Sequence, residues 1–204
     1  HELRTPLTSI RMYTEMLEKG WVPDDAKRNE YYSTMRQESE RLSRLIENVL
    51  DFSRIQRGKK RFEFTAGNIN ECIRDVLDMM KPCIESAGFV TEENFENIEP
   101  FMFDRDAVSQ IVVNLIDNAL KYAKTARDKT IHVRTKKTDG MVIIEVEDRG
   151  PGIVRSSHKK IFDVFYRCED ESTRSSAGTG LGLALVKRFA QAHRGFARVF
   201  NAKP

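Results

Sequence analysis

The stretch that decides the fold is VVNLIDNALKYA, residues 112–123. Asn114 and Asn118 are four residues apart, so they share one face of a predicted helix, with Lys121 and Tyr122 one turn further on. Two asparagines inside a helix lower its stability, whereas amide oxygens suit Mg²⁺ and a neighbouring lysine suits a phosphate. Taken alone, the stretch fits either an ordinary polar face or a metal and phosphate site. The apolar residues expected to face the core are Val112, Leu115, Ala119 and Ala123.

A second polar group follows a predicted strand in MVIIEVEDRGPGI, residues 141–153. Alternate apolar residues of this strand face the core, and the same period of two places Asp148 on the buried side at the strand end. Gly150 and Gly152 let the chain turn tightly away from the end of the strand. A carboxylate held there can accept a hydrogen bond from an exocyclic amine such as that of adenine. A calcium loop is the alternative, but it needs more carboxylates than this segment has.

A glycine-rich stretch, AGTGLGLALVK at residues 177–187, leads directly into a predicted helix. Gly178, Gly180 and Gly182 leave backbone N–H groups free to approach an anion at the helix N-terminus. The spacing is that of neither the dinucleotide-binding fingerprint nor the P-loop. The stretch therefore predicts a phosphate-binding loop of another kind.

The remaining elements from about residue 58 onward predict an α+β sandwich with helices over one face of a mixed sheet. Asn68 and Glu71 resemble a capping box, and Gly88 ends the helix that they open. The other expected elements are a short strand at Phe62 and Phe64, helices over 104–124 and 181–193, and strands over 131–136, 141–147 and 196–200.

Residues 1–57 predict two helices joined by a short loop, with Asp25 capping the second. Their apolar residues form a heptad seam. Because one hairpin cannot bury its own stripe, two hairpins are expected to pair into a dimeric four-helix bundle; the alternative is a hairpin that packs on its own following domain. The seam residues are Leu3, Leu7, Ile10, Thr14, Leu17, Tyr31, Met35, Leu42, Leu45, Val49 and Phe52.

The composition is that of an ordinary globular protein. The 204 residues are 40% hydrophobic and 32% charged, with a formal net charge of +3. This mixed charge argues against a nucleic-acid partner, and no apolar run reaches the roughly 20 residues that span a bilayer. The three cysteines lack metal-binding spacing, so reduced thiols are expected.

Together these segments resemble the sensor histidine kinases of two-component signalling, in the order of that family. HELRTPL resembles its phospho-acceptor box, NLIDNALKY its N box, DRGPGI its first glycine box, IFDVFYR its F box and GTGLGL its second glycine box. The resemblance implies a dimerisation and histidine-phosphotransfer hairpin over residues 1–57. It also implies a Bergerat-type ATP-binding catalytic domain, an α/β sandwich, over residues 58–204.

The family's roles can be carried onto matching positions. His1 would attack the γ-phosphate of ATP, with Glu2 hydrogen-bonding its other ring nitrogen as base and orienter. Asn118 with Asn114 would hold Mg²⁺, and Asp148 would read adenine. Lys121 and Arg167 would neutralise charge on the transferring phosphoryl group, and Tyr122 would line the nucleotide pocket. Phe162 and Phe165 would either anchor the start of the lid, the glycine-rich segment over the nucleotide, or belong to the core. The glycine boxes and lid would contribute Gly150, Gly152, Gly178, Thr179, Gly180, Leu181 and Gly182.

The resemblance also implies partners and a wider context. In the pattern H-E-x-x-T, Thr5 lies on the same helix face as His1 and would orient a water molecule for dephosphorylation of the response regulator. The resemblance thus implies three activities: autophosphorylation, transfer to an aspartate of the receiver domain, and response-regulator phosphatase. Expected partners are a second copy of the chain, a response regulator and ATP or ADP. Because the family's histidine normally lies inside a helix, the chain is expected to be a cytoplasmic piece of a longer protein, for which the family favours membrane anchoring.

Four rival functions share part of this pattern. Gyrase-type and mismatch-repair ATPases usually place a glutamate where this chain has Asn114. Anti-sigma serine kinases lack a histidine-bearing hairpin. A dimeric scaffold that binds nucleotide without chemistry would not need His1 and Glu2, and a phosphatase-dominant sensor would differ from a kinase only in degree.

Overall fold

The computed structural model describes residues 3–22, 24–167 and 180–201. These residues fall into two compact units, one ending at Lys59 and the other beginning at Lys60. His1, Glu2, Gly178 and Thr179, to which the sequence assigns roles, lie outside the described residues.

The first unit is an antiparallel pair of helices, α1 (Arg4–Glu18) and α2 (Asp25–Gln56). The helices pack through their seam: the Tyr13 and Tyr31 ring centroids are 4.7 Å apart, and the Thr14 hydroxyl lies 3.3 Å from Met35 Sδ. Asp24, not Asp25, caps α2, because its side chain accepts a hydrogen bond from the Ala26 N–H at 2.9 Å. The expectation for Asp25 was wrong by one residue, since two adjacent aspartates give equal capping signals.

The hairpin leaves much of its apolar seam uncovered. Leu7 is 58% exposed and Val49 41% exposed. Ile46 and Leu50, beside the seam, are exposed as well. Among the described residues of the chain, no helix combines the length and apolar character needed to cross a bilayer.

The described residues of the second unit form two sheets and three longer helices. The elements in chain order are β1 (Phe64–Gly67), α3 (Ile69–Ser86), β2 (Val90–Phe95), β3 (Phe101–Asp104), α4 (Arg105–Tyr122), β4 (Thr130–Thr138), β5 (Met141–Glu147), two 3-10 turns (Arg155–Ser157 and Lys160–Phe162) and α5 (Gly182–Ala192).

The strands of this unit separate into two sheets where the sequence predicts one. Strands β1 and β3 pair antiparallel, with Thr65 opposite Phe103. Strand β2 runs parallel to β4, and β5 pairs antiparallel with β4. Helices α3 and α4 pack over the three-stranded sheet, and α5 packs on α4, so the helical layer is as expected.

Caps fix the ends of α3 and the start of α4. The Asn68 side chain accepts a hydrogen bond from the Asn70 N–H at 2.9 Å, which starts α3 as predicted. Gly88 follows the helix with φ +76°, a conformation that favours glycine. Asp104 caps α4 through the Ala107 N–H at 2.8 Å. Each cap satisfies N–H or C=O groups that a helix end otherwise leaves unpaired.

Two strand predictions need correction. The short strand begins at Phe64, not Phe62, and continues to Gly67. Residues 196–200 form no strand within the described part of the chain, although their exposure alternates: Phe196 and Phe200 are exposed, while Ala197 and Val199 are half-buried. The alternation is that of an extended segment, but a strand also needs a backbone ladder to a neighbour, and none forms here.

Candidate nucleotide site

Helix α4 supplies the polar face on which the site is built. Its core side is fully or almost fully buried at Val112, Ile116 and Ala119. Leu115, expected on that side, is only half-buried, because Ile116 takes the core position. The opposite, partly open side carries Asn114 and Asn118, as the four-residue spacing predicts.

Asn118 has a buried polar atom that the described residues leave unsatisfied. Its Nδ2 is shielded from solvent and has no hydrogen-bond partner among them. Most buried polar groups are paired. The two ends of an amide are interchangeable by a half-turn, so the same position can present an oxygen. A polar ligand at this point of α4 would satisfy the group.

Asn114 brings the start of α5 against α4. Its Nδ2 donates to the Gln110 carbonyl at 2.8 Å, which fixes the amide plane. A Cβ added at Gly182 would lie 2.8 Å from Asn114 Oδ1. Because real Cβ atoms do not approach so closely, a side chain at this position would force the Asn114 amide or the start of α5 to move.

The end of α4 carries a lysine and a tyrosine that contact each other. Lys121 Nζ donates to the Tyr122 hydroxyl at 3.1 Å and lies 4.6 Å from the centroid of the Tyr122 ring. Both side chains are half-buried. The pair places one positive charge beside an aromatic wall, one turn after Asn118.

The loop after β5 returns to this same end of α4. Asp148 is half-buried, and its Oδ1 accepts a hydrogen bond from the Gly150 N–H at 2.7 Å. A Cβ at Gly150 would lie 2.7 Å from that oxygen and 3.2 Å from the Tyr122 carbonyl oxygen. Gly150 therefore lets the loop pass between the carboxylate and the helix end.

The pKa of Asp148 is raised above the usual aspartate value. Loss of solvation on burial is the main cause, and the nearby Glu147 carboxylate adds to it, while the Gly150 N–H opposes the shift. Desolvation of a carboxylate costs free energy of folding, and groups with a pKa shifted in this way cluster at binding and catalytic sites.

Backbone contacts join the F-box segment to the start of α5. The Phe165 N–H donates to the Gly180 carbonyl at 3.2 Å, and a Cβ at Gly180 would lie 2.9 Å from the Phe165 backbone. Phe165 has φ +63° and is 70% exposed, so its assignment to the core is wrong. Phe162 is half-buried, Arg167 is exposed and Leu181 is buried.

The structure thus brings the predicted residues together in three contacts. Asn114 meets Gly182, Tyr122 meets Gly150 beside Asp148, and Phe165 meets Gly180. In the described residues, no cluster of three or more His, Cys, Asp or Glu side chains is arranged to hold a metal. A cation on α4 would therefore depend on amide oxygens and on the ligand's own oxygens.

Sequence reasoning missed one residue at this site. The Asn201 side chain forms two hydrogen bonds with the backbone of Ile153, 48 positions away in sequence. A single asparagine beyond the last apolar residues carries no signal for such a contact.

Family comparisons place two domains on this chain. Residues 1–58 match the His Kinase A (phospho-acceptor) domain. Residues 103–203 match the family of histidine kinase-, DNA gyrase B- and HSP90-like ATPases.

Two similar relatives are both sensor protein kinase WalK. The Staphylococcus haemolyticus protein is 35% identical over 195 residues, and the Staphylococcus saprophyticus protein is 35% identical over 199 residues. Each alignment covers 96% of this chain but 32% of the relative. The chain therefore spans about a third of the length of the relatives it matches.

Solved structures of histidine kinases are also similar to this chain. The Acinetobacter baumannii histidine kinase AdeS is 25% identical with a TM-score of 0.71, over 94% of this chain and 86% of that one. Full-length ShkA in complex with AMPPNP is 25% identical with a TM-score of 0.66, over 94% and 39%. Histidine kinase ThkA in complex with the response regulator TrrA is 25% identical with a TM-score of 0.65, over 96% and 53%.

Proposed function

Because this chain belongs to the sensor histidine kinases, we propose that it phosphorylates His1 from ATP and passes the phosphoryl group to an aspartate of a response regulator. The observation that carries the proposal is the buried, unpartnered amide of Asn118, on the same face of α4 as the Asn114–Gly182 contact. An amide left unsatisfied there is explained by a polar ligand.

Asp148 is proposed to read adenine. Its Oδ1 is occupied by the Gly150 N–H, which leaves Oδ2 to accept a hydrogen bond from the exocyclic amine. Burial strengthens such a bond, because little water competes for the oxygen. Tyr122, held against the loop by Gly150, would form one wall of the purine pocket, and Gly152 would let the loop turn around it.

The amide face of α4 fits Mg²⁺. Asn118, with Asn114, would hold the ion against the triphosphate, and when bound it would neutralise charge on the phosphate oxygens. Lys121 and Arg167 would add positive charge around the transferring group. The lid residues Gly178, Thr179, Gly180, Leu181 and Gly182 would approach the triphosphate with their backbone N–H groups.

The transfer itself is proposed to take place at His1. One ring nitrogen forms a bond to the γ-phosphorus while the bond from that phosphorus to the leaving oxygen of ADP breaks. Glu2 accepts a hydrogen bond from the other ring N–H, which leaves the lone pair on the attacking nitrogen. The N–P bond is then exchanged for an O–P bond on the regulator aspartate.

Residues 1–57 are proposed to be the dimerisation and phosphotransfer domain, and residues 58–204 the ATP-binding catalytic domain. The exposed apolar seam of the hairpin supports a homodimer. ThkA was solved with a response regulator, which supports a receiver domain as the second partner. The short span relative to WalK supports a longer protein, which we propose is a membrane-anchored sensor.

A second activity, dephosphorylation of the regulator, is proposed for Thr5. Its side chain is exposed on the first turn of α1, and among the described residues no side chain caps α1, so the hydroxyl does not serve as the cap. It lies one turn from His1 in sequence and would orient a water toward an aspartyl phosphate.

The test of the main proposal is incorporation of label from γ-labelled ATP with Mg²⁺. The chain would carry a helical segment ahead of His1, beside His1→Gln and Asn118→Ala variants. We expect label that survives alkali, is lost in acid and is missing from both variants. ATP binding with no label in the parent chain would instead favour the scaffold or the phosphatase-dominant sensor.

A further inference from the structure

The loop that connects β5 to the first 3-10 turn has little regular structure of its own. Asp148 and Gly150 hold its beginning through the 2.7 Å hydrogen bond. Pro151 and Gly152 are exposed, and Gly152 has φ +75°. A loop of this kind moves unless its far end is also restrained.

Asn201 restrains that far end with both ends of its amide. Asn201 Oδ1 accepts a hydrogen bond from the Ile153 N–H at 2.9 Å, and Asn201 Nδ2 donates to the Ile153 carbonyl at 2.9 Å. The amide thus pairs with Ile153 as a neighbouring strand would pair.

Gly152 allows this approach. A Cβ on Gly152 would lie 3.2 Å from Asn201 Oδ1, tighter than most real contacts. Its positive φ also directs the chain so that Ile153 faces the asparagine. The turn therefore favours a glycine here, and the absence of a side chain also leaves room for the close contact with Asn201.

His158 adds a third hydrogen bond to the backbone of Ile153. His158 Nε2 lies 2.9 Å from the Ile153 carbonyl oxygen. Because that oxygen can only accept, Nε2 must carry the proton. The next residue back, Ser157, is buried and its hydroxyl lies 2.9 Å from that of Tyr166. The far end of the loop is thus anchored within a larger hydrogen-bonded group.

We propose that Asn201 is a positioning residue for nucleotide recognition: by clamping Ile153, it holds Asp148 where its free oxygen meets adenine. This inference rests on the proposed function of Asp148. Asn201 does not touch the nucleotide; it acts through the loop. His158 supports it from the other side of the Ile153 carbonyl.

The test compares Asn201→Ala and Asn201→Gln with Asn94→Ala, a matched change at an exposed asparagine on β2. Hydrogen exchange at the Ile153 amide reports the clamp without any nucleotide. Calorimetric binding of MgATP and of MgITP, whose base lacks the exocyclic amine, reports the reading of adenine.

We expect Asn201→Ala to speed exchange at Ile153 and to weaken ATP binding up to about tenfold, as expected for losing two modest hydrogen bonds. ITP binding should change little, so the ratio of the affinity for ATP to the affinity for ITP becomes smaller. Asn201→Gln keeps both polar groups and should restore part of that preference, and Asn94→Ala should match the parent chain.

Other results would overturn the inference. Unchanged exchange at Ile153 in Asn201→Ala would mean that no clamp exists. Faster exchange with an unchanged ATP to ITP ratio would make Asn201 merely structural. A parent chain that binds no ATP would overturn the proposed function and the positioning role together, a result distinct from the first two.

Discussion

Gly182, the first residue of α5, lies against the side chain of Asn114 on α4, so closely that a Cβ would come within 2.8 Å of Asn114 Oδ1. A Cβ atom at residue 182 would therefore disturb the packing of the N-terminus of α5 against the amide face of α4. The contact joins the second glycine box to the N box, which are separated in sequence by the β4–β5 hairpin and the F box.

Gly182→Ala should reverse the usual effect of alanine in a helix. Helix propensity alone favours alanine over glycine by about 1 kcal/mol, but the contact with Asn114 forces α5 or the amide to shift. We expect a lower melting temperature and ATP binding weakened about tenfold or more, measured by thermal denaturation and calorimetry. Arg188→Ala, on the exposed side of α5, is the control. A more stable variant with normal ATP affinity would refute the close contact.

Asn118→Ala should separate binding from stability. Because Nδ2 of Asn118 is buried without a partner, removing it costs the free protein little or even helps, while Mg²⁺-dependent ATP binding should be lost. The measurements are urea unfolding without nucleotide and ATP titration with and without Mg²⁺.

Asn70→Ala is the opposite control. Asn70 is buried with both ends of its amide satisfied, by the Glu96 carbonyl at 2.8 Å and the Thr135 hydroxyl at 2.7 Å. Its loss should lower the free energy of unfolding by about 1–3 kcal/mol. Equal destabilisation by the two variants would mean that Asn118 is an ordinary core residue.

Local patterns predicted the placement of the candidate residues where one element carries them. The four-residue spacing of Asn114 and Asn118 and the period of two that ends at Asp148 both follow from the geometry of a single helix or strand. These residues lie where the patterns placed them.

Contacts between distant segments left no such signal. The Asn201 clamp on Ile153 joins positions 48 apart, and the division of the strands into two sheets depends on which edges meet. Alternation at residues 196–200 predicted a strand wrongly, since only a neighbour's backbone completes a ladder. Leu115 and Ile116 are equally apolar, and the small rotation of α4 that buries Ile116 is set by packing.

Asp148→Asn should stabilise the free protein at neutral pH while impairing adenine recognition. The pKa of Asp148 is raised mainly by burial, so the folded chain holds its proton at pH values where the unfolded chain, with a pKa of about 3.9, has lost it. Stability therefore falls as pH rises from that value through the raised pKa. The uncharged asparagine avoids this loss and still accepts the Gly150 N–H.

Unfolding of both proteins across pH 3 to 8 checks this sign. The free energy of unfolding of the variant should rise relative to that of the parent chain as pH rises through the acid range, and the difference should be constant above the raised pKa. The preference of the variant for ATP over ITP should disappear. Glu147→Gln removes the neighbouring charge that also raises the Asp148 pKa. In a chain that carries this change, the difference in stability that Asp148→Asn produces should be smaller. A gap that stays constant down to pH 3 would mean that Asp148 titrates normally.

Leu7→Glu and Val49→Glu should disrupt a homodimer. Both seam side chains are exposed in the single chain, and burying an unpaired carboxylate between two hairpins costs several kcal/mol. Light scattering coupled to gel filtration should find a dimer for the parent chain and a monomer for either variant, with α-helical circular dichroism retained because each residue is already exposed. Met102→Glu, an equally exposed change on β3, should remain dimeric. A parent chain that remains a monomer would mean that the exposed seam does not serve self-association.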